Sequence, residues 1–382
     1  MNNKGSIALT ILIFTLWILS SRFHQSLYLL FTFLGLYFGL TKSWNVKANY
    51  LILSFLLLSF IFTLISILKI ALTGEFEVYN IKGLVRFYSY TLFAIFLLGT
   101  STPTLKRVIS LSIIYISFTL PWGLYNLTQG QRYFNIFEHP NHFAYVIAIL
   151  VTYVLYNFNK IKYPKLSMFF LLVSLLLTKS SGGILTTFTI ISLTIFFRFD
   201  ASLFKKLTIG LLVISLIVII GLKSPKIQEQ LSDLNLISFD YLLQRARLHN
   251  AGGQGSFLWR LIYWFEIFIA FFNENYINII LGKGADALTQ GNFPYEFMTY
   301  DPHNDFVKVF VEYGFIGLIM LLIFIIKISY SSRMGIIIFI LLTTPMFFGN
   351  ILVNFPYNLT LILVLTYFYK HRLISVNIPT PN

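Results

Sequence analysis

Residues 257–272 read FLWRLIYWFEIFIAFF, and the placement of this run sets the topology of everything around it. It is apolar enough to enter a bilayer, yet it carries Arg260 and Glu266 and ends at Asn273-Glu274-Asn275-Tyr276. If it crossed, every later segment would change sides. Lys327 and Arg333 would then lie outside, against the rule that basic residues collect in the cytoplasm. We therefore read it as an interfacial or re-entrant helix at the outer surface.

The 382-residue chain as a whole is 57% hydrophobic and only 11% charged, with a mean hydropathy of +0.77. Soluble proteins carry about a quarter charged residues, so the composition predicts an all-α, polytopic membrane protein. A bilayer core of about 30 Å needs about 20 apolar residues per helix. Transmembrane helices, about twelve in all, are predicted near 5–21, 26–41, 49–71, 84–100, 107–127, 141–158, 166–179, 183–198, 206–222, 305–326, 334–350 and 356–370. Residues 1–382 form a single integral membrane domain on this reading, and 223–304 are its one large extracytoplasmic loop. Lys106, Arg107, Lys160, Lys162, Lys165, Lys327, Arg333 and Lys370 fall on one face together with Asp200, the only acid there, which makes that face cytoplasmic. Both termini then lie inside, and the first apolar run, Ser6–Ser20, is a retained signal anchor. With no cysteine, the chain has no disulfide and no thiol nucleophile.

A net charge of +14 does not indicate nucleic acid here, because over half of the basic residues are topology determinants at the cytoplasmic leaflet. The informative cations are Arg132, Lys179, Arg245, Arg247, Arg260 and Lys283, on or near the outer face. Singly, each reads as a solvated loop charge. As a set they suit an anion, because guanidinium forks grip phosphate in pairs of hydrogen bonds. At a membrane that anion would be a lipid phosphate or pyrophosphate.

The stretch DPHNDFVKVFVEYGFIG (301–317) adds reactive groups. Pro302 stops a helix from running in, and Asn304 or Asp305 can cap the one that follows. A helix N-terminus favours an anion and disfavours an imidazolium, so His303 would stay neutral and could accept a proton from a hydroxyl. Lys308 and Glu312 stand four apart on one helix face, either as functional groups or as a mutual pair. Gly314 and Gly317 let a neighbouring element approach closely.

His303-Asn304, nine residues, Gly314, two residues and Gly317 form a pattern that resembles the signature of the O-antigen ligase and O-antigen polymerase family of bacterial envelope glycosyltransferases. RYFNIFEHPNHFAYV (132–146) is similar to that family's outer segment ending in Pro-Asn before a helix, and SFLWRLIYWFEIF (256–268) to its segment ahead of the signature. The resemblance covers about residues 120–330 and implies a GT-C-like helical bundle. It departs at LTKSSGG (177–183), where Ser181 stands in the place of an arginine common in such proteins and Lys179 could supply the charge. It implies that a glycan carried on undecaprenyl pyrophosphate moves to the hydroxyl of a glycan or lipid-linked acceptor at the outer face of the bacterial cytoplasmic membrane.

On that reading His303 and Asn304 are catalytic, while Arg132, Arg260, Arg245, Arg247 and Lys179 bind the pyrophosphate. His139, Asn141, His142, Asp301, Asp305 and Glu312 line the cavity, and HNAGGQGS (249–256) is a mobile loop or a plain linker. No Asp-x-Asp pair, metal-ligand cluster or nucleotide-type glycine loop is visible, so no metal or cofactor is expected. Membrane lipid is an expected partner, as are a flippase and a chain-length regulator; nucleic acid is not. The signature is shared by polymerases and ligases. The Phe/Ile/Lys/Asn-rich composition suits an AT-rich genome, compatible with capsule and exopolysaccharide clusters. A surface polysaccharide polymerase (capsule, exopolysaccharide or O-antigen) is therefore expected, with an O-antigen-type ligase attaching finished glycan as the alternative. A transporter of lipid-linked sugar is the reading from another class, but spans nearly free of midplane charge speak against it.

Overall fold

Prolines and capping side chains set where the apolar runs become helices. The computed structural model describes residues 3–20, 30, 50–75, 78–137, 139–198, 228, 238–248, 256–288, 293–298, 300–330 and 334–371. All regular structure among them is helical. The α-helices are α1 (Asn3–Leu19), α2 (Tyr50–Thr73), α3 (Val78–Gly99), α4 (Thr102–Phe118), α5 (Leu120–Thr128), α6 (Pro140–Tyr156) and α7 (Pro164–Leu177). They continue with α8 (Ser181–Arg198), α9 (Phe239–Arg247), α10 (Ser256–Phe272), α11 (Tyr276–Leu281), α12 (Asp305–Tyr330), α13 (Gly335–Phe348) and α14 (Phe355–Lys370). Helices α4, α5, α6, α7 and α14 each carry proline in the first two positions, where the missing N–H breaks no helical bond. Side chains of Ser101, His139, Ser238, Asn275 and Asn354 accept from free first-turn amides.

Four stretches are long and apolar enough to cross a membrane: Ser54–Thr73, Asn80–Gly99, Thr102–Thr128 and Asp305–Tyr330. Gly5–Leu19, Pro140–Tyr156, Pro164–Leu177, Ser181–Phe197 and Gly335–Phe348 are shorter apolar helices. A helical membrane protein is the result. The spans predicted at 26–41, residue 30 apart, and 206–222 lie outside the described residues, as do residues 223–227, 229–237, 249–255, 289–292 and 299 of the 223–304 loop.

The span predicted at 107–127 divides at Thr119 into α4 and α5. Pro121 lacks the amide that would continue α4, and its ring crowds the preceding turn. The Thr119 hydroxyl fills the break: it donates to Tyr115 O (3.1 Å) and accepts from Tyr133 OH (2.8 Å) and Asn135 Nδ2 (2.6 Å).

Two compact units divide the chain. The first comprises Met1–Phe60, Leu84–Ile191 and Leu322–Asn382, and the second Ile61–Gly83 and Ser192–Leu321. In the first unit α6 is buried without interruption from Phe143 to Val154 and α14 from Phe355 to Phe368. Helices apolar on every side are central ones, and these two pack on each other. Polar residues are bonded inside this core: Trp17 Nε1 donates to Thr360 Oγ1 (2.8 Å) and Tyr367 OH to Asn157 Oδ1 (3.0 Å). In the second unit α9 and α10 pack together, and Ile262, Tyr263, Trp264, Ile267 and Phe271 of α10 share an apolar core with Val307, Phe310 and Val311 of α12. That core fixes the start of α12.

Candidate active site

In the second unit the signature histidine is held by backbone geometry and by two tryptophans. Asn304 is the buried cap of α12: its Oδ1 accepts from Phe306 N (2.9 Å) and Val307 N (3.2 Å). Asp305 opens the first turn, where a carboxylate complements the helix dipole. Immediately before the cap, His303 has φ of 51°. Left-handed backbone is uncommon for a side-chain-bearing residue and persists only where its surroundings enforce it. They do so here. His303 N donates to Asp301 Oδ1 (3.3 Å), Trp264 Nε1 to Pro302 O (2.6 Å) and Tyr263 OH to Tyr300 O (2.5 Å). The Trp259 ring lies 6.2 Å from the imidazole.

Burial holds the His303 pKa below its ordinary value, Arg260 pushes it the same way, and Asp301 opposes them. The imidazole is therefore neutral at physiological pH and retains a lone pair able to accept a proton. Arg260, one turn before Trp264 on α10, brings positive charge beside it. Glu266, further along α10, is buried, and that burial raises its carboxyl to about 7.

Lys308 is buried between two carboxylates, 3.4 Å from Asp301 Oδ2 and 3.7 Å from Glu312 Oε1. The same Glu312 oxygen accepts from Leu288 N (3.2 Å). The pair four residues apart is thus real, with Asp301 as a third member. Ten residues after the cap the helix breaks: Gly314 has φ 65° and ψ −167°. Two carbonyls at the break accept from a glycine-lysine-glycine turn, Lys283 N to Val311 O (2.8 Å) and Gly284 N to Glu312 O (2.9 Å). A Cβ on Gly314 would lie 2.2 Å from Ile280 O, and one on Gly282 2.4 Å from the Glu312 carbonyl. Gly314 thus admits the end of α11 and also supplies a conformation side chains avoid. Gly317 lies under Tyr313, which stacks on Phe62 with centroids 4.1 Å apart.

The first unit gathers a second set. Arg132 Nε donates to Thr178 O (2.9 Å), and its Nη2 to Asn141 Oδ1 (3.0 Å) and Lys179 O (3.4 Å). The guanidinium therefore clamps the turn after α7, where Lys179 has φ of 51°, onto the start of α6. Burial lowers the Arg132 pKa from its ordinary value. His139 Nδ1 accepts from Asn141 N (3.1 Å), and His142 stands 5.4 Å away, ring to ring. Asn354 Oδ1 caps α14 by accepting from Tyr357 N, which turns its Nδ2 toward His142 Nδ1 at 2.7 Å. Asn354 thereby makes His142 Nδ1 an acceptor and leaves the ring proton on Nε2.

His303, Asn304, Arg260, Asp301, Asp305 and Glu312 thus belong to one cluster, and Arg132, Lys179, His139, Asn141 and His142 to another. Arg245 and Arg247 join neither by a described contact: Arg245 Nε turns back to Tyr241 OH (3.3 Å) on α9, and Arg247 is exposed. Trp259 and Asn354 are additions that motif reading passed over, and Lys283, chosen there only as an outer-face cation, docks through its backbone on α12. Asn354, two residues before Pro356, carried a helix-start signal; the docking of Lys283 carried none. Among the described residues no group of three or more His, Asp and Glu side chains is placed to hold a metal ion.

Residues 166–322 match the family described as O-antigen ligase. The match contains α10 and the His303–Gly317 signature, while residues 132–146 fall outside it. Comparison with curated proteins gives no match. That family is one of glycosyltransferase-like enzymes of O-antigen ligase or polymerase type.

Proposed function

We propose that this chain, which carries the O-antigen ligase domain over residues 166–322, polymerises glycan repeat units from an undecaprenyl-pyrophosphate donor at the outer face of the bacterial cytoplasmic membrane. The observation that carries the reading is His303: a half-buried imidazole in left-handed backbone, kept neutral by desolvation and Arg260, at the capped start of a helix. In the transfer, a ring nitrogen of His303 takes the proton of the acceptor hydroxyl as its oxygen bonds to the anomeric carbon. The bond from that carbon to the pyrophosphate breaks, and its electron pair leaves with the lipid pyrophosphate. Positive charge must be in place before that charge develops. Arg260, beside His303, would serve this, and Arg132, Lys179, Arg245 and Arg247 are the further cations proposed for the pyrophosphate.

Asn304 caps α12 and positions His303. Asp301 and Asp305 tune the charge at that end of the helix, Glu312 holds Lys308 further along it, and His139, Asn141 and His142 are proposed as cavity-lining residues. Trp259, stacked on Tyr263 at 5.2 Å and edge-on to Tyr300 at 6.1 Å, offers an aromatic ledge beside the imidazole for the apolar face of a sugar ring. Hydrophobic grooves between helices would hold the prenyl chain. Neither metal nor cofactor is required where guanidinium groups meet the leaving charge.

The test is a His303→Ala strain with matched membrane levels of the protein, its surface glycan and lipid-linked intermediates run on gels. Loss of long chains with single repeat units persisting on lipid supports the polymerase. Long chains stranded on undecaprenyl pyrophosphate would instead make it a ligase, the alternative the shared signature leaves open. An unchanged pattern would leave His303 as part of a helix cap and overturn the mechanism.

A further inference from the structure

At the basic end of the first unit, α1 and α4 enclose a groove of about 530 Å³ lined by Ile7, Thr10, Ile11, Lys106, Arg107, Ser110 and Leu111. Its size falls within the usual range of small-molecule sites. One wall is apolar and open, with Ile7 51% and Ile11 58% exposed. The other carries charge. Arg107 Nη1 donates to Ser6 Oγ (3.2 Å), which in turn meets Thr104 Oγ1 at 2.9 Å, so the guanidinium is tied to the rim. Lys106 Nζ donates to the backbone carbonyl of Lys160 (3.0 Å), which ties it to the turn after α6.

None of the ion pairs among the described residues includes Lys106, Arg107 or Lys160. Lys106 and Lys160 are close enough to act on a common neighbour. The pKa of His371, at the end of α14, is lowered by its burial and further by Lys160 and Lys106. Like charges gathered beside an apolar wall need an anion that brings its own hydrocarbon.

We propose that this groove binds an anionic glycerophospholipid, its phosphate between Lys106 and Arg107 and an acyl chain along Ile7, Ile11 and Leu111. A neutral lipid would satisfy the apolar wall and leave the cations unpaired, whereas a free anion would satisfy the cations and leave the wall in water. Basic pockets between transmembrane helices at the cytoplasmic side are suited to anionic headgroups. The groove is separate from the residues assigned to glycosyl transfer and does not depend on that assignment.

The purified full-length protein in detergent is titrated with phosphatidylglycerol or with phosphatidylcholine of the same acyl chains. Bound lipid is counted by native mass spectrometry, and the thermal midpoint is followed in parallel. Wild-type protein should retain phosphatidylglycerol over phosphatidylcholine by about tenfold or more and rise in midpoint with it. Lys106→Gln with Arg107→Gln should abolish the preference. Ile11→Trp, which keeps both charges and fills the groove, should lower the amount of phosphatidylglycerol bound. It carries the test alone if the double variant does not fold. Equal retention of the two lipids by the wild type overturns the proposal. So does a preference that survives the double variant, full occupancy in Ile11→Trp, or a thermal shift reproduced by inorganic phosphate alone.

Discussion

Replacing Gly314 by alanine tests whether the helix break in the signature is a built feature. The backbone there, φ 65° and ψ −167°, lies in a region essentially reserved for glycine, and forcing a side chain into it costs about 1–3 kcal/mol. The added Cβ would also meet backbone, not a movable side chain: Ile280 O at 2.2 Å and Leu281 N at 2.6 Å. The end of α11 must therefore retreat, which threatens the bonds from Lys283 N to Val311 O and from Gly284 N to Glu312 O. Each such bond contributes about 1 kcal/mol, so the whole loss is on the order of 3–5 kcal/mol. Gly74→Ala is the control, since Gly74 has a similar φ of 70° with nothing within 4 Å of its Cβ position. It should cost only about 1–2 kcal/mol. Thermal unfolding of the purified proteins in detergent reads both. Gly282→Ala attacks the same contact from the other side, with its Cβ 2.4 Å from the Glu312 carbonyl, so Gly282→Ala with Gly314→Ala should cost clearly less than the two singly added. A Gly314→Ala midpoint no lower than that of Gly74→Ala, or strict additivity with Gly282→Ala, would refute the docking account.

If His303 accepts the proton, the acid limb of the rate profile should lie below pH 6.5, its ordinary pKa, because the ring loses its lone pair only as pH falls through the depressed value. His303→Ala should reduce in-vitro transfer by about 10²–10⁴-fold and remove that limb. Lys308→Met leaves the Glu312 carboxylate buried without its cation and should cost about 3–5 kcal/mol, read as a lowered thermal midpoint; adding Glu312→Gln should recover part of it. Asn354→Ala removes the cap of α14 and the donor to His142, so it should destabilise by about 1–2 kcal/mol, whereas Asn354→Asp, still able to cap, should keep most of the stability but not the hydrogen-bond donor. Arg132→Lys keeps the charge but cannot span Thr178 O and Asn141 Oδ1 together, and its transfer rate should fall well below that of wild type at equal membrane abundance.

What the sequence disclosed, and what it withheld, follows from the range of the interactions. Asn304 as cap, Pro302 as stop and the Lys308–Glu312 pair are local, set by residues within about two turns, and the structure shows each of them. The division at Thr119 was equally local, because Pro121 announced it, but hydropathy averaged across the break. The third member of the charge group, Asp301, and the turn 282–284 lie outside any helical period. Their positions depend on how α10 and α11 return to α12, which periodicity does not encode. For the same reason the outer cations could be chosen by sign but not grouped. Nothing in the sequence placed Arg132 with Thr178 and Asn141, or turned Arg245 back on Tyr241.

The signature itself is explained by geometry before chemistry. From the cap at Asn304 to the break at Gly314 is ten residues, a rod of about 15 Å and nearly three turns. Lys308 and Glu312 fall four and eight residues after the cap, on one stripe. At its start Lys308 reaches back to Asp301, and at its end Glu312 accepts from Leu288 N while its carbonyl receives Gly284 N. One residue more or fewer would rotate everything beyond it by about 100°. Glu312 would then leave Leu288 and the break would turn away from the 282–284 turn. Fixed spacing between His-Asn and the glycines therefore defines a rigid strut seated at both ends. A histidine in left-handed backbone needs such a strut, because only a neighbourhood fixed on both sides can hold that conformation against its cost.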